Sequence, residues 1–159
     1  MIAVLQRISR AVCVADGSVS GACGHGLLIL LCAVSGDGEE DCRLLADKIV
    51  KLRIFPDENG RMNRSLTDMG YGVLLVSNFT LAANYTHGNR PDFMAAEKPT
   101  RAGELYLHAA SLLRQRLGED RVGTGVFGAD MQLDMTADGP VTVIMDSALL
   151  KKKASAAEK

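Results

Sequence analysis

Apolar positions along the chain follow three distinct patterns, and each predicts a different element. Residues 27–34 and 73–76 are continuous apolar runs, which suit strands covered on both faces. Residues 2–8, interrupted by Gln6 and Arg7, and residues 11–15 form β-like runs ahead of Asp16-Gly17-Ser18, so the chain opens as a β-hairpin. Helical spacing comes next. Glu39-Glu40-Asp41 loads acid at a helix start, Leu45, Ile49 and Leu52 follow at i, i+4 and i+7, and Lys48, Lys51 and Arg53 gather near the end. These features predict an amphipathic helix aligned with its dipole. Residues 100–117 predict a second helix, with Leu105, Ala109, Leu112 and Leu113 on one face.

The shorter elements are marked by turns. Residues 53–55 and 62–66 flank Asp57-Glu58-Asn59-Gly60, a hairpin turn. Residues 82–99, with Gly88, Pro91 and Pro99, form a long polar loop, of a length usually functional or mobile. Residues 123–128 read as irregular, and Asp138-Gly139-Pro140 reads as a turn joining strands at 131–135 and 141–145. There is no internal repeat and no linker. The expectation is a single α/β domain over residues 1–148 with two main helices, and a Lys- and Ala-rich flexible tail over 149–159.

Composition narrows the classes. A chain of 159 residues with 47% apolar and 23% charged residues is that of a one-domain soluble globular protein. No apolar run approaches the roughly 18 residues of a membrane span. Met1-Ile2-Ala3-Val4 lacks the basic start of a signal peptide, so a cytoplasmic protein with no membrane partner is expected. Cys13, Cys23, Cys32 and Cys42 lie nine or ten residues apart without a C-x-x-C pair, which favours buried thiols over zinc or redox chemistry. His25, His87 and His108 have no ligand partner at helical or strand spacing, so neither a metal nor a cofactor is expected. Asp37, Glu39, Glu40 and Asp41 read as a solvated helix start rather than a metal cluster. The formal net charge of -1 excludes a protein that grips many phosphates; a nucleic acid would be held by its end, at a local site. Lys151-Lys152-Lys153 is the one basic cluster and reads as a solvated terminus.

No nucleophile elbow, Walker loop or zinc-protease motif occurs. Two segments remain. Ser77-Asn78-Phe79-Thr80 stands at the carboxyl end of a central strand, where α/β proteins place ligands; its other reading is a strand end satisfied by local hydrogen bonds. Gly139-Pro140-Val141-Thr142 is the second, and from sequence a trans turn is its default, since cis X-Pro bonds make up only about 5–6% of the total.

These two segments resemble the D-aminoacyl-tRNA deacylase family when taken with Gln6-Arg7-Ile8, Leu52-Arg53-Ile54-Phe55, Asn59-Gly60-Arg61-Met62-Asn63, Arg90-Pro91-x-Phe93 and Phe127-Gly128-Ala129-Asp130-Met131 in that order over residues 1–147. The resemblance implies a compact α/β domain of mixed and antiparallel strands forming a barrel-like sheet pair with two main helices. It implies a homodimer with active sites at the subunit interface, acting on the acceptor end of D-aminoacyl-tRNA. Ser77, Asn78, Phe79 and Thr80 correspond to the family's catalytic motif. Gly139 and Pro140, joined by a cis bond, correspond to a chiral gate reaching the partner's site, with Arg7 and Met131 as its supporting and substrate-binding residues. Ester hydrolysis would then be assisted by the ribose 2′-OH, with backbone N–H groups at Phe79 and Thr80 holding the oxyanion. The chain departs from the family at Asn78, where Gln is usual, at Ala137, where Asn is common, and in the weakly basic loop 84–90. These departures leave room for a catalytically weak tRNA-end binding module of the same fold. A Thr80-nucleophile hydrolase of another ester is a third reading.

Overall fold

The computed structural model describes residues 1–151. Its central sheet is ordered β2 (Ser18–Cys23), β1 (Ile2–Ala15), β3 (Gly26–Cys32), β6 (Gly72–Ser77) and β7 (Val122–Thr124), and β8 (Met131–Asp146) also pairs with β1. A separate two-stranded ribbon is formed by β4 (Phe55–Pro56) and β5 (Met62–Arg64). Helices α1 (Glu39–Val50) and α3 (Pro99–Leu117) pack against each other on one face of the sheet.

The uninterrupted apolar runs are explained by two cores. Leu27, Ile29 and Leu31 of β3, with Val73 and Leu75 of β6, face the helices, where they meet Leu45, Ile49, Leu105 and Leu113. The alternate residues, Leu28, Leu74 and Val76, face the other way and pack with Ile8, Ala11 and Cys13 inside the curled sheet. Successive strand residues point to opposite faces, so a strand buried on both sides has no polar position to spare. The curl brings β2 against β7 backbone to backbone. A Cβ on Gly21 would lie 2.5 Å from the Thr124 carbonyl oxygen, and one on Gly123 would lie 2.6 Å from that of Ala22. The result is a nearly closed, barrel-like sheet, as expected.

Several details differ from the sequence reading. The opening hairpin turns at Asp16-Gly17, but residues 2–15 form one continuous strand. The irregular segment at 123–128 begins as β7, parallel to β6. Two glycine-bearing contacts let so short a strand sit close to its neighbours, and its three residues carry no readable pattern. The return from the Asn59-Gly60 turn ends in a short helix, α2 (Leu66–Met69), capped by Ser65: Asp68 N–H donates to Ser65 Oγ at 3.2 Å, and Ser65 N–H donates to Asp68 at 2.8 Å. The sequence reading ran the returning strand on to Leu66 and did not mark this S-x-x-D capping box.

The largest difference concerns the last two strands. They are one strand, β8, which runs antiparallel along nearly the whole of β1. Both halves find the same partner, so Asp138-Gly139-Pro140 does not turn the chain back. Gln6 pairs with Thr142 and Ile8 with Ala137, which leaves residues 138–141 bulged opposite the single residue Arg7. The Gly139-Pro140 bond is cis and Gly139 has φ +127°.

The acids at the start of α1 are not all solvated. Glu39 and Glu40 are exposed, but Asp41 is buried. It accepts from the Gly38 N–H at 2.8 Å, from Ser147 Oγ at 2.6 Å and from Lys151 Nζ at 2.7 Å. Asp37 accepts from the Met1 amino group at 2.8 Å and the Val34 N–H at 2.6 Å. A carboxylate can be buried only with such donors around it. Residues 147–151 are helical, so this network fastens the start of the expected tail; residues 152–159, with Lys152 and Lys153, lie outside the described residues. All four cysteines are free, with Cys13, Cys32 and Cys42 buried. No described helix is long and apolar enough to cross a membrane.

Candidate active site

β6 delivers its last residue, Ser77, opposite Leu31 of the parallel neighbour β3, and the Asn78 N–H extends the ladder by donating to the Leu31 carbonyl at 2.8 Å. The backbone then leaves the sheet. Phe79–Ala82 form a 3-10 turn whose first bonded N–H is that of Leu81, donating to the Asn78 carbonyl at 3.4 Å. The N–H groups of Phe79 and Thr80 precede that bond and make no backbone hydrogen bond among the described residues, as expected at the opening of a helical turn. They are the kind of donor pair that can hold an oxyanion.

Beside this exit lies a cleft of about 800 Å³. Ser77, Asn78 and Phe79 form one wall, while Phe127, Gly128, Ala129 and Met131 form another. Phe93 and Met94 come from the long loop, and Phe93 meets Phe79 edge to face at 5.2 Å between ring centroids. Lys98, Pro99 and Ala102 bring the start of α3 to the rim, and Met1 and Cys32 lie deeper. The lining is mostly apolar with a few polar groups, as in sites that bind small organic groups. Within it, Glu97 accepts from the Lys98 N–H at 2.8 Å and the Gly36 N–H at 3.3 Å, and these two bonds hold its carboxyl below the usual range. Burial pushes the Cys32 thiol up, which keeps it protonated and a poor nucleophile.

Thr80 is exposed, and its hydroxyl donates to Asn78 Oδ1 at 2.5 Å. Local side-chain bonding at the strand end is therefore real, and it leaves the two N–H groups free. Among the described residues no group of three or more His, Cys, Asp or Glu side chains is arranged to hold a metal ion.

The expected site residues thus fall into two places. Ser77, Asn78, Phe79 and Met131 share the cleft, with Thr80 next to them. Gly139, Pro140 and Arg7 are elsewhere. Arg7 is opposite Leu27, which pairs with Val73, four residues before Ser77. At about 3.3 Å per residue the bulge lies roughly 13 Å back along the strands, and three strand spacings, about 14 Å, to the side. There Arg7 donates through Nη1 to the Ile54 carbonyl at 2.7 Å and through Nε to the Asp138 carbonyl at 3.2 Å, and its Nε is 3.0 Å from Asp138 Oδ2. The guanidinium therefore holds the residue just before Gly139.

Sequence reasoning missed Tyr106, Met94 and the start of α3 as parts of the cleft. Tyr106 lay in a helical apolar stripe, with nothing to separate it from ordinary core.

The site is therefore an apolar cleft at the carboxyl end of paired parallel strands, beside two backbone N–H groups that make no hydrogen bond among the described residues. A family model described as D-Tyr-tRNA(Tyr) deacylase matches residues 4–146. The D-aminoacyl-tRNA deacylase of Paracoccus denitrificans (strain Pd 1222) is 53% identical over 148 residues, covering 93% of this chain and 98% of that one. That of Jannaschia sp. (strain CCS1) is 51% identical over 147 residues, covering 92% and 99%. Among solved structures, a c-Myc DNA unwinding element binding protein superposes with a TM-score of 0.86 at 35% identity, covering 92% of this chain and 98% of that one. A probable eukaryotic D-amino acid tRNA deacylase, at TM-score 0.79, 17% identity and coverage of 91% and 98%, shares the fold. The chain belongs to the D-Tyr-tRNA(Tyr) deacylase family.

Proposed function

We propose that this protein is a hydrolase that cleaves the ester joining a D-amino acid to the terminal adenosine of tRNA, releasing free tRNA and the D-amino acid, and that it works as a cytoplasmic homodimer. The cleft takes the acceptor end. Water attacks the ester carbonyl, the ribose 2′-OH beside it assists, and the N–H groups of Phe79 and Thr80 hold the oxyanion. Thr80 is not the nucleophile in this reading. Its hydroxyl proton is engaged by an amide oxygen, which is no base. The Gly139 and Pro140 carbonyls of a second copy stand over the cleft as a chiral gate, with Arg7 holding the gate segment and Met131 in the substrate-binding wall. An L-aminoacyl group clashes with the gate, while a D-aminoacyl group or glycine fits. Glycine mischarged on an alanine tRNA is therefore a substrate as well. No cofactor takes part.

The observation that carries the reading is the distance between the two motifs within one chain. The bulged Gly139-Pro140 segment is exposed and too far from its own Ser77-to-Thr80 exit to act there, so a role at that exit requires a second copy. A second feature supports the dimer. β8 has β1 as its only strand partner among the described residues and exposes Leu133, Met135 and Ile144, the last at 74%. Long apolar edges of this kind are normally covered.

The test is deacylation of D-tyrosyl-tRNA beside L-tyrosyl-tRNA, with chelator present, using the wild-type protein and Thr80→Ala. Loss of the D ester alone, largely preserved in Thr80→Ala, is the expected result. Abolition by Thr80→Ala would identify a Thr-nucleophile hydrolase, and stoichiometric binding without turnover would identify a tRNA-end binding module.

A further inference from the structure

We propose that Tyr106 is a positioning residue for the deacylation: its buried hydroxyl straps β6 to β7 at the fork from which the two walls of the cleft depart. The inference rests on reading the cleft as the deacylase site. The parallel β6–β7 ladder has three residue pairs and ends at Leu75 and Thr124. Its closing bond is the Gly125 N–H donating to the Leu75 carbonyl at 2.8 Å. Beyond that bond the chains separate. One branch continues through Val76 to Ser77, Asn78 and Phe79, and the other through Val126 to Phe127, Gly128 and Ala129. Both branches line the same cleft.

The Tyr106 hydroxyl oxygen lies 2.9 Å from the Leu75 carbonyl oxygen and 3.0 Å from that of Gly125, one on each branch. The side chain is buried at 4% exposure, and its ring packs against Phe127 at 5.9 Å between centroids. It projects from α3, whose start also lines the cleft. A three-residue ladder is a weak hinge, and the tyrosine ties it to a helix of 19 residues. Burial pushes the hydroxyl's pKa well above its ordinary value, so it stays a donor at any working pH. Because the hydroxyl is engaged with the backbone, Tyr106 acts through Phe79 and Thr80 and not on the substrate.

Wild type and Tyr106→Phe are compared on D-tyrosyl-tRNA at 25 °C, with Leu113→Ala as a destabilised core control. Leu113 is buried in the same helix but does not line the cleft. The expected result is a kcat about tenfold lower with KM changed less than about twofold, the pattern of a lost transition-state interaction. Leu113→Ala lowers Tm while leaving kcat in place. p-Aminophenylalanine at 106, which offers two N–H donors to the two carbonyls, restores kcat. An unchanged kcat, a pure KM effect, or failure of the rescue overturns the proposal. Hydrogen exchange on the wild-type protein tests the strap without any variant: the Gly125 N–H must exchange as slowly as the β3–β6 ladder, and exchange at a loop rate also overturns the proposal. An inactive wild type with a slow Gly125 N–H removes the deacylase reading, and with it a reaction for Tyr106 to serve, while leaving the strap itself standing.

Discussion

Replacing Arg7 with alanine tests both the stability of the β8 bulge and its use as a gate. Arg7 is 11% exposed in its side chain, and its guanidinium makes one bond to the Ile54 carbonyl at 2.7 Å and a second set, through Nε, to Asp138. Two charge-assisted bonds at about 1.5–3 kcal/mol each would sum to roughly 3–6 kcal/mol. Asp138 is 46% exposed, so water replaces part of that interaction, and a loss of about 2–4 kcal/mol is the sensible expectation. For a domain of this length each kcal/mol moves the midpoint by roughly 2–4 °C, so Tm should fall by roughly 5–15 °C. Lysine keeps the charge but cannot reach two carbonyls with a planar fork, and Arg7→Lys should lose about half as much. Thermal melting by circular dichroism reads the stability. Initial rates on D- and L-tyrosyl-tRNA read the gate. With residues 138–141 no longer held, the ratio of kcat/KM for D over L should fall about tenfold, mainly through a gain on the L ester. A melting curve shifted by less than about 1 °C, or an unchanged ratio in a clearly destabilised enzyme, would refute the assignment of Arg7 as the holder of the gate.

Two further outcomes follow from packing and from titration. Gly123→Ala places a methyl 2.6 Å from the Ala22 carbonyl oxygen across the β2–β7 seam; overpacking of this kind costs about 1–3 kcal/mol. Gly24→Ala, with nothing within 4 Å of its Cβ, should change stability by less than about 0.5 kcal/mol, and equal melting points for the two variants would count against a closed barrel. At Asp41, burial pushes the carboxyl up, but hydrogen bonds from Lys151, Ser147 and the Gly38 N–H outweigh it and hold the pKa below the ordinary value of 3.8. As pH falls, the unfolded chain takes up this proton first. The Asp41 contribution is therefore complete above about pH 5 and is lost as pH drops through 4 toward the folded value. Asp41→Asn should be less stable than wild type at pH 7 and should show a flatter acid limb in Tm between pH 5 and pH 2.5; parallel limbs would exclude the assignment.

The parts of the fold that the sequence made legible are those in which one residue type has one physical use. The runs at 27–34 and 73–76 suited strands buried on both faces, and the strands they form, Gly26–Cys32 and Gly72–Ser77, hold the two cores apart. Leu45, Ile49, Leu105 and Ala109 gave both main helices because their spacing has no other economical burial. What stayed hidden depends on tertiary partners. β7 is three residues long, and its glycines matter only because β2 presses on them. Asp41 looked like its acidic neighbours until Ser147 and Lys151, more than a hundred residues away, were brought to it. The turn assigned to Gly139-Pro140 was chemically reasonable, and it failed because β1 is long enough to pair with both halves of β8.

The site was difficult to read for a different reason. Few reactive side chains stand along this sequence, which is what the proposed reading expects: the N–H groups at the strand exit would hold the oxyanion, and the gate segment would present carbonyls. Every residue carries the carbonyl and every residue but proline the N–H, so their identity leaves almost no mark on the sequence. What does leave a mark is the backbone geometry they need. Gly139 has φ +127°, and a Cβ there would stand 2.7 Å from the Val141 nitrogen, so a side chain at that position is excluded on two counts. The free N–H groups of Phe79 and Thr80 require that β6 stop at Ser77 and turn at once, and the Thr80 hydroxyl donates to Asn78 Oδ1 across that turn. Asn78 in place of the family's glutamine then falls on a residue whose oxygen is spent within the turn. The substitution is expected to alter the shape of the exit more than the chemistry it offers.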